Sequence, residues 1–479
     1  MTQRTCGILM PLFSLPGEYS IGSVGAEAYR FLDYMAEGGF RWWQVLPFCF
    51  PAAGNSPYSS FSAFSYHYAL IDLPTLAEEG LITADELASA RGEDPTVCEY
   101  GRLGAERFSL LARAAARMPD RTPVYEFLAA HSGSARFCRF MALRRANGGR
   151  PWRAFTTDRY DEEYYYAWAF TQYTFHRQWA ALHRAAAARG IRILGDIPIY
   201  VDYESADVFS APHLFDLTEK GGPRAVAGVP PDDFAEDGQL WGNPLYNWDR
   251  MREDGYLWWR DRLAHALGDT DGVRIDHFRA FSSYYSIPAT AASAMEGHWC
   301  PGPGMPLVRA LRETAGDRLL VAEDLGGDHA PDVRALLAES GLPGMRVLQF
   351  AHPEDPFCTH LPQNYTENTV AYTGTHDNNT LLGHLFSLPE RERLRLFRLV
   401  GYEGEGIGAG FDAIVEALYA SRAALVILPI GDVLRLGAEG RINRPGIAEG
   451  NWRMRVLPSQ LARAEWIFFS RLARESNRG

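Results

Sequence analysis

The chain is 479 residues long, 47% hydrophobic and 22% charged, which excludes both a minimal disulfide-stapled domain and a disordered chain. Its 47 Lys+Arg against 59 Asp+Glu leave a net charge of −12, and that balance argues against a nucleic-acid or anionic-membrane partner, because neutralising phosphate takes clustered positive charge. Lys220 is the single lysine among those cations, so neither a Schiff-base lysine nor a phosphate loop ending in Gly-Lys-Ser/Thr is expected.

Residues 6–15 are apolar but interrupted by Gly7, Pro11 and Ser14, and without a clean apolar stretch and cleavage site they do not read as a signal peptide. No run reaches the roughly 18 apolar residues of a membrane span. The six cysteines, Cys6, Cys49, Cys98, Cys138, Cys300 and Cys358, are scattered and form no C-x-x-C pair. A reducing, cytoplasmic location is therefore expected.

Short apolar runs ending in polar residues recur at 40–50, 66–73, 191–201, 272–281, 319–325, 345–350, 369–376 and 423–432, and each reads as a buried strand. Helical patterns lie between many of them, at 26–36, 170–189, 257–267, 331–340 and 411–422. Strand and helix in alternation predict an α/β fold, a (β/α)8 TIM barrel. Such a barrel takes about 250 residues, so roughly 200 belong to insertions. Residues 74–165 read as a mainly helical insertion between early strands, and 205–270, dense in Pro, Gly, Asp and Trp, as a binding insertion. The glycine-rich turn at 401–410, before a helix at Phe411, does not match G-x-G-x-x-G, so no dinucleotide site is read there. No C-terminal β-sandwich is evident after 423–432. The chain also carries 12 Trp, 23 Tyr and 26 Phe, many beside Gly, Asn, Pro or Ser; most are core residues, and the rest suit stacking against sugar faces.

Three predicted strands end in carboxylates: Asp276 after Val273-Arg274-Ile275, Glu323 after Val321-Ala322, and Asp377 within Thr375-His376-Asp377. In a barrel these ends converge on one rim. A carboxylate following an apolar run is either a satisfied structural acceptor or a catalytic group. Period-two alternation puts Arg274 and Asp276 on one face, where the guanidinium keeps the carboxylate ionised, whereas Glu323 shares its face with Leu319 and Val321 and is pushed up by burial and by the anion nearby. One attacking and one protonated carboxyl is the division of labour of retaining glycoside cleavage, at a separation of roughly 5–5.5 Å. Strict alternation separates His376 from Asp377, so both serve one site only if the strand has already become loop at Thr375. No H-E-x-x-H occurs, and Asp269-Thr270-Asp271-Gly272 lacks the rest of a calcium loop, so neither metal nor cofactor is expected.

The motifs in order are GILMPLFSLPGEYSIG (7–22), NSPYSSFSAFS (55–65), LGDIPIYV (194–201), AGVPPDDFAEDGQLWGNPLYNWD (227–249), DGVRIDHFRAF (271–281), AEDLG (322–326), GMRVLQF (344–350), YTGTHDN (372–378) and RINRPGIAEGNWRMR (441–455). Through their order and spacing the chain resembles, over nearly its whole length, the amylomaltases, the 4-α-glucanotransferase (disproportionating enzyme) branch of the α-amylase clan. The resemblance implies Asp276 as nucleophile, Glu323 as acid/base and Asp377 as transition-state stabiliser. It implies Tyr58, Asp196, Arg274 and His376 at the subsite of the scissile glucose, and Gln239, Trp241, Asn243, Asn451 and Trp452 in the surrounding groove. Maltodextrins would be donor and acceptor and glucose a small acceptor. A hydrolase, or a non-catalytic glucan-binding barrel, are the alternatives. Ala280, where the family has glycine, the continuation 375–385, and Gly431-Asp432, where Gln-Asp is common, depart from the pattern without touching the three carboxylates. Since motifs from 7 to 455 serve one site, the expected organisation is one catalytic barrel over 1–479.

Overall fold

A computed structural model describes residues 4–52, 54–231, 237–326, 330–447 and 449–479. Residues 232–236 and 448, inside two of the motifs above, lie outside them. In chain order the strands are β1 (Thr5–Leu9), β2 (Trp42–Gln44), β3 (Arg192–Ile197), β4 (Ala225–Val229), β5 (Gln239–Pro244), β6 (Gly272–Ile275), β7 (Ser283–Pro288), β8 (His298–Pro301), β9 (Leu319–Ala322), β10 (Gly344–Val347), β11 (Thr369–Tyr372) and β12 (Leu425–Pro429).

Eight of them close into a parallel barrel in the order β1-β12-β11-β10-β9-β6-β3-β2. These strands are short and buried on both faces, as parallel strands covered by helices must be. The helix Ala26–Glu37 shows how the cover is built: Ala28, Phe31, Leu32 and Met35 form its buried stripe, and Phe31 meets the β2 residue Trp43 edge to face at 5.1 Å. The predicted helices are present, two with extended starts: 170–189 is the end of Glu162–Ala188 and 411–422 that of Ile407–Ala420. Gly408 and Gly410 are thus helical rather than turn residues, and Gly410 is required because a Cβ there would sit 2.2 Å from the Phe397 ring.

Eight barrel strands were expected, but two memberships differ. β1 was read as an interrupted apolar segment because of Gly7. That glycine serves close packing, since a Cβ would lie 2.5 Å from the Trp42 carbonyl oxygen of the neighbouring strand. Conversely, 66–73 joins no sheet: it forms a 3-10 turn, Tyr68–Leu70, and opens the helix Leu73–Glu78, capped by Asp72. Its extended backbone finds side-chain amides instead of a strand. Gln172 accepts from Tyr66 N at 2.7 Å and donates to Tyr66 O at 3.0 Å, and Gln178 does the same for Asp72 at 2.8 and 3.1 Å.

The stretch 74–165 holds a series of helices packed on Glu162–Ala188. Within 205–270 lie β4 and β5, which form a four-stranded antiparallel sheet, order β5-β4-β7-β8, with two strands from 283–301. The sequence does not flag that second contribution, because β7 follows the β6 turn with only the short helix Arg279–Ser282 between. After β12 the described residues form helices and turns, ending in Trp466–Glu475, which packs on the helices Ala26–Glu37 and Ile407–Ala420.

The β1–β12 seam is locked from below by Arg478, which is fully buried. Its guanidinium donates to the carbonyls of Tyr419 (2.8 Å), Ser421 (2.9 Å), Thr5 (3.2 Å) and Ala424 (3.4 Å). Replacing it with alanine removes one donor from each carbonyl and empties a fully buried site, although Arg4 still donates to Tyr419 O and Ser421 O and Thr5 N to Ala424 O. Arg478→Ala is expected to lower unfolding stability by about 3 kcal/mol or more, measured by denaturant titration; a change below about 0.5 kcal/mol would show that the seam does not depend on it.

Candidate active site

The site begins from the parallel register of β3 and β6, which sets Asp196 beside Arg274. Both point inward and are buried. Arg274 Nη1 donates to the two oxygens of Asp196 at 2.8 and 2.7 Å, and its Nη2 pairs with Asp276 Oδ1 at 2.8 Å. The planar guanidinium fork thereby grips two carboxylates at once, one from each Nη, in a fixed geometry that a single ammonium nitrogen does not impose. Burial opposes the charge on Arg274, but Asp196 and Asp276 hold it well above its ordinary range. Burial lifts Asp196 to about 6, with Arg274 pulling it down and Asp276 pushing it up. Tyr58 adds a third partner, donating its hydroxyl to Asp196 Oδ2 at 2.8 Å.

Asp276 is the first residue past β6, and its N–H still donates to Ile197 O at 3.0 Å. His277 then turns in the left-handed region, φ 46°. That turn aims its N–H at Glu323 Oε2, 2.8 Å away, while Leu325 N donates to Oε1 at 2.8 Å. Glu323 follows β9 directly and is only 8% exposed. Burial pushes it up to about 8; Arg274 opposes this, and Asp276 reinforces it. The His277 imidazole is held neutral by burial, lowered to about 4, and lies edge to face with Trp241 at 5.0 Å.

β11 ends at Tyr372, so Thr375, His376 and Asp377 are loop and alternation does not separate them. Thr375 and Asn378 close the turn, with Thr375 N and Oγ1 donating to Asn378 Oδ1 at 2.8 and 2.9 Å. His376 stacks on the Tyr58 ring (5.0 Å, 16°), and its Nε2 lies 3.4 Å from Asp377 Oδ1. Asn443 Nδ2 donates to that same oxygen at 2.6 Å, Asn443 N donates to His376 O at 3.0 Å, and Arg441 Nη2 donates to Asp377 O at 2.8 Å. Sequence reasoning did not single out Arg441 or Asn443, since nothing local marks a residue whose partner lies 66 positions away. Asp432, next to the departure at Gly431, is buried and serves structure: it accepts from Thr373 Oγ1 and Leu381 N, each at 2.6 Å.

The residues expected in the outer groove divide. Gln239, Trp241 and Asn243 alternate along β5; Trp241 Nε1 donates to Gln239 Oε1 at 3.1 Å and its ring is 36% exposed, whereas Asn243 donates to Val201 O at 2.9 Å. Trp452 is brought to the centre but buried, 5.8 Å from the rings of both Tyr58 and His376. Asn451 turns its amide onto its own loop, accepting from Arg444 N at 2.9 Å and donating to Ile447 O at 2.7 Å. Asp269 accepts from Tyr66 Oη at 2.7 Å, and Asp271 from Ile193 N at 2.8 Å. Chemically, the rim offers an ion-paired carboxylate beside a buried carboxyl that stays protonated near neutrality. That pair can attack a carbon and protonate its leaving group in one step.

The 4-alpha-glucanotransferase family profile matches residues 10–460. The chain is 41% identical to the 4-alpha-glucanotransferase of Thermus thermophilus, covering 96% of each chain. It is 36% identical to the chloroplastic/amyloplastic 4-alpha-glucanotransferase of Solanum tuberosum, over 95% of this chain and 82% of that one. Among solved structures, the amylomaltase from Streptococcus agalactiae in complex with acarbose superposes with a TM-score of 0.93 at 35% identity over the whole of both chains. The amylomaltase from Corynebacterium glutamicum gives 0.83 at 19% identity, over 99% of this chain and 75% of that one, and shares the fold. The chain belongs to the 4-alpha-glucanotransferase family.

Proposed function

We propose that the protein transfers α-1,4-glucan segments between maltodextrins by a retaining double displacement on the carboxylates of the β6 and β9 ends. The observation that carries this is the opposite state of the two groups: Asp276 is ion-paired to Arg274, and Glu323 is raised to about 8 by burial. An Asp276 oxygen attacks the anomeric carbon as the bond to the leaving 4-oxygen breaks, and Glu323 gives that oxygen its proton. The products are a β-glycosyl-enzyme ester and a shortened glucan with a free 4-hydroxyl end. In the second step Glu323, now a carboxylate, takes the proton from the 4-hydroxyl of an acceptor glucan or glucose, and that oxygen displaces Asp276. The anomeric configuration is restored.

Asp377 is the partner for the 2- and 3-hydroxyls, binding them more strongly as the ring flattens toward an oxocarbenium ion. Asn443 and Arg441 hold it to that task. Tyr58, Asp196, Arg274 and His376 surround the same sugar. Gln239 and Trp241 on the open strand β5 suit the sugars beyond it, and an acceptor held there excludes water as competitor. That the Streptococcus agalactiae relative is an amylomaltase in complex with acarbose supports a glucan substrate. We read 1–479 as one catalytic unit with 74–165 as a helical insertion and 205–270 as part of its glucan-binding face. The six free cysteines fit a reducing compartment, hence a cytoplasmic location, and among the described residues no helix is long and apolar enough to cross a membrane.

Incubation with maltotriose is expected to yield free glucose and longer dextrins at constant total reducing ends. Reducing ends rising in step with glucose would make the protein a hydrolase instead. Asp276→Asn, nearly isosteric, is expected to lower kcat by about 10⁴-fold or more; near-normal turnover would remove Asp276 from the mechanism. Asn443→Ala frees Asp377, and a fall in kcat of roughly tenfold with a smaller change in KM is expected, whereas an unchanged kcat would mean that Asp377 needs no such support. Because the acid must carry its proton, kcat/KM should fall as pH rises through about 8, the value to which burial lifts Glu323; a rate still flat well above that pH would contradict the assignment.

A further inference from the structure

The acid/base strand is held unequally on its two sides. Against β6 it is paired along its whole length, from Leu319 opposite Gly272 to Ala322 opposite Ile275. Against β10, among the described residues, the ladder consists of Ala322 opposite Gly344, with Ala322 N donating to Pro343 O at 2.9 Å. A cavity of about 280 Å³, lined in part by Asp324, Leu337, Gly344, Arg346 and Thr369, lies along this seam. Glu323 itself gives both backbone groups to the β6 side: its N–H donates to Ile275 O, and its carbonyl accepts from Phe278 N, each at 3.0 Å.

Asp324 spans the gap. Its Oδ1 accepts from Met345 N at 2.7 Å and its Oδ2 from Arg346 Nη1 at 2.8 Å, and the residue is 6% exposed. The carboxylate takes the place of a ladder rung, because a neighbouring strand's N–H must find an acceptor when buried. The opposing residue is shaped to admit it: a Cβ at Gly344 would lie 2.9 Å from both Asp324 oxygens. Gly344 has no left-handed φ, so its lack of a side chain serves this approach.

We propose that Asp324 is a positioning residue for Glu323: by joining the acid/base strand to β10 where their ladder fails, it holds the Glu323 carboxyl against Asp276 and keeps water out from behind it. This rests on the reading of Glu323 as acid/base. The charged groups that act on Glu323 are Arg274 and Asp276 from β6, and its oxygens accept from the N–H groups of His277 and Leu325. Removing the Asp324 carboxylate acts in one direction. An opened seam relieves the burial that raises Glu323, so Glu323 gives up its proton at lower pH.

The test is the pH dependence of kcat/KM for maltotriose, with kcat and KM separated, in Asp324→Ala, Asp324→Asn and Gly344→Ala. Asp324→Ala is expected to lower kcat on the order of 10- to 100-fold with KM within about threefold, and to move the alkaline limb acidward by about one pH unit. Asp324→Asn, which still accepts from Met345 N but faces Arg346 with a donor, should fall between wild type and Ala. Gly344→Ala deletes no polar group yet displaces the carboxylate, and should shift the limb the same way. A staple that serves stability alone would lower Tm and leave the limb in place, and that result overturns the proposal. Should Asp324→Ala not fold, the limb of the other two variants decides. Glu323→Gln separates the two readings: full activity with an unchanged alkaline limb removes Glu323 as acid/base, whereas lost activity alongside unmoved limbs in the Asp324 and Gly344 variants refutes only the role of Asp324.

Discussion

A guanidinium buried in the mouth of a barrel is costly unless it is paired and fully hydrogen-bonded, and the site is organised around meeting that demand. Arg274 meets it with two carboxylates, Asp196 from the adjacent strand and Asp276 from its own strand end. The grip fixes the position of the Asp276 carboxylate. It also leaves the cluster with one excess negative charge, so that a further carboxylate in the same low-dielectric space is disfavoured. Glu323 is that further carboxyl, and its raised value follows from the company it keeps as well as from its burial. The ion-paired carboxylate and the raised carboxyl are thus two consequences of one charge balance.

The remaining parts of the rim extend this balance outward. Tyr58 donates to Asp196 and carries His376 on its ring, and Trp452 backs both rings. The loop from 441 to 452 supplies Asn443 and Arg441 to Asp377 before it reaches Trp452. Segments separated by hundreds of residues meet because parallel strands all deliver their ends to the same face. The four-stranded antiparallel sheet completes the arrangement on the open side, tied through His277 and Trp241 to the turn that follows Asp276.

Legibility in the sequence followed the range of the interactions. Asp276 and Glu323 were legible because each ends an apolar run, Asp377 because it lies in the polar cluster after one, and the pairing of Arg274 with Asp276 because period-two alternation is a local property. β1 was missed because Gly7 signals a break locally, whereas its reason, the Trp42 backbone, belongs to another strand. The run 66–73 was read as a strand because its composition suits one; the amides of Gln172 and Gln178, about a hundred residues on, satisfy its backbone instead. Asn451 and Asn443 sit eight residues apart in one motif, and only the folded loop shows that the first closes its own turn and the second holds Asp377.

By itself, then, the sequence determined the alternating architecture, the carboxylates after its apolar runs, the guanidinium beside Asp276 and the family to which the motifs point. Those properties are written in periodicity and in residue type over a few positions. The tertiary structure decided which strands close the barrel, where β9 parts from β10, which side chain bridges that seam, and how far Glu323 is lifted. Each of these depends on burial and on partners brought from distant parts of the chain, and the free energy of a buried charge or an unpaired backbone group is fixed only when those partners are in place.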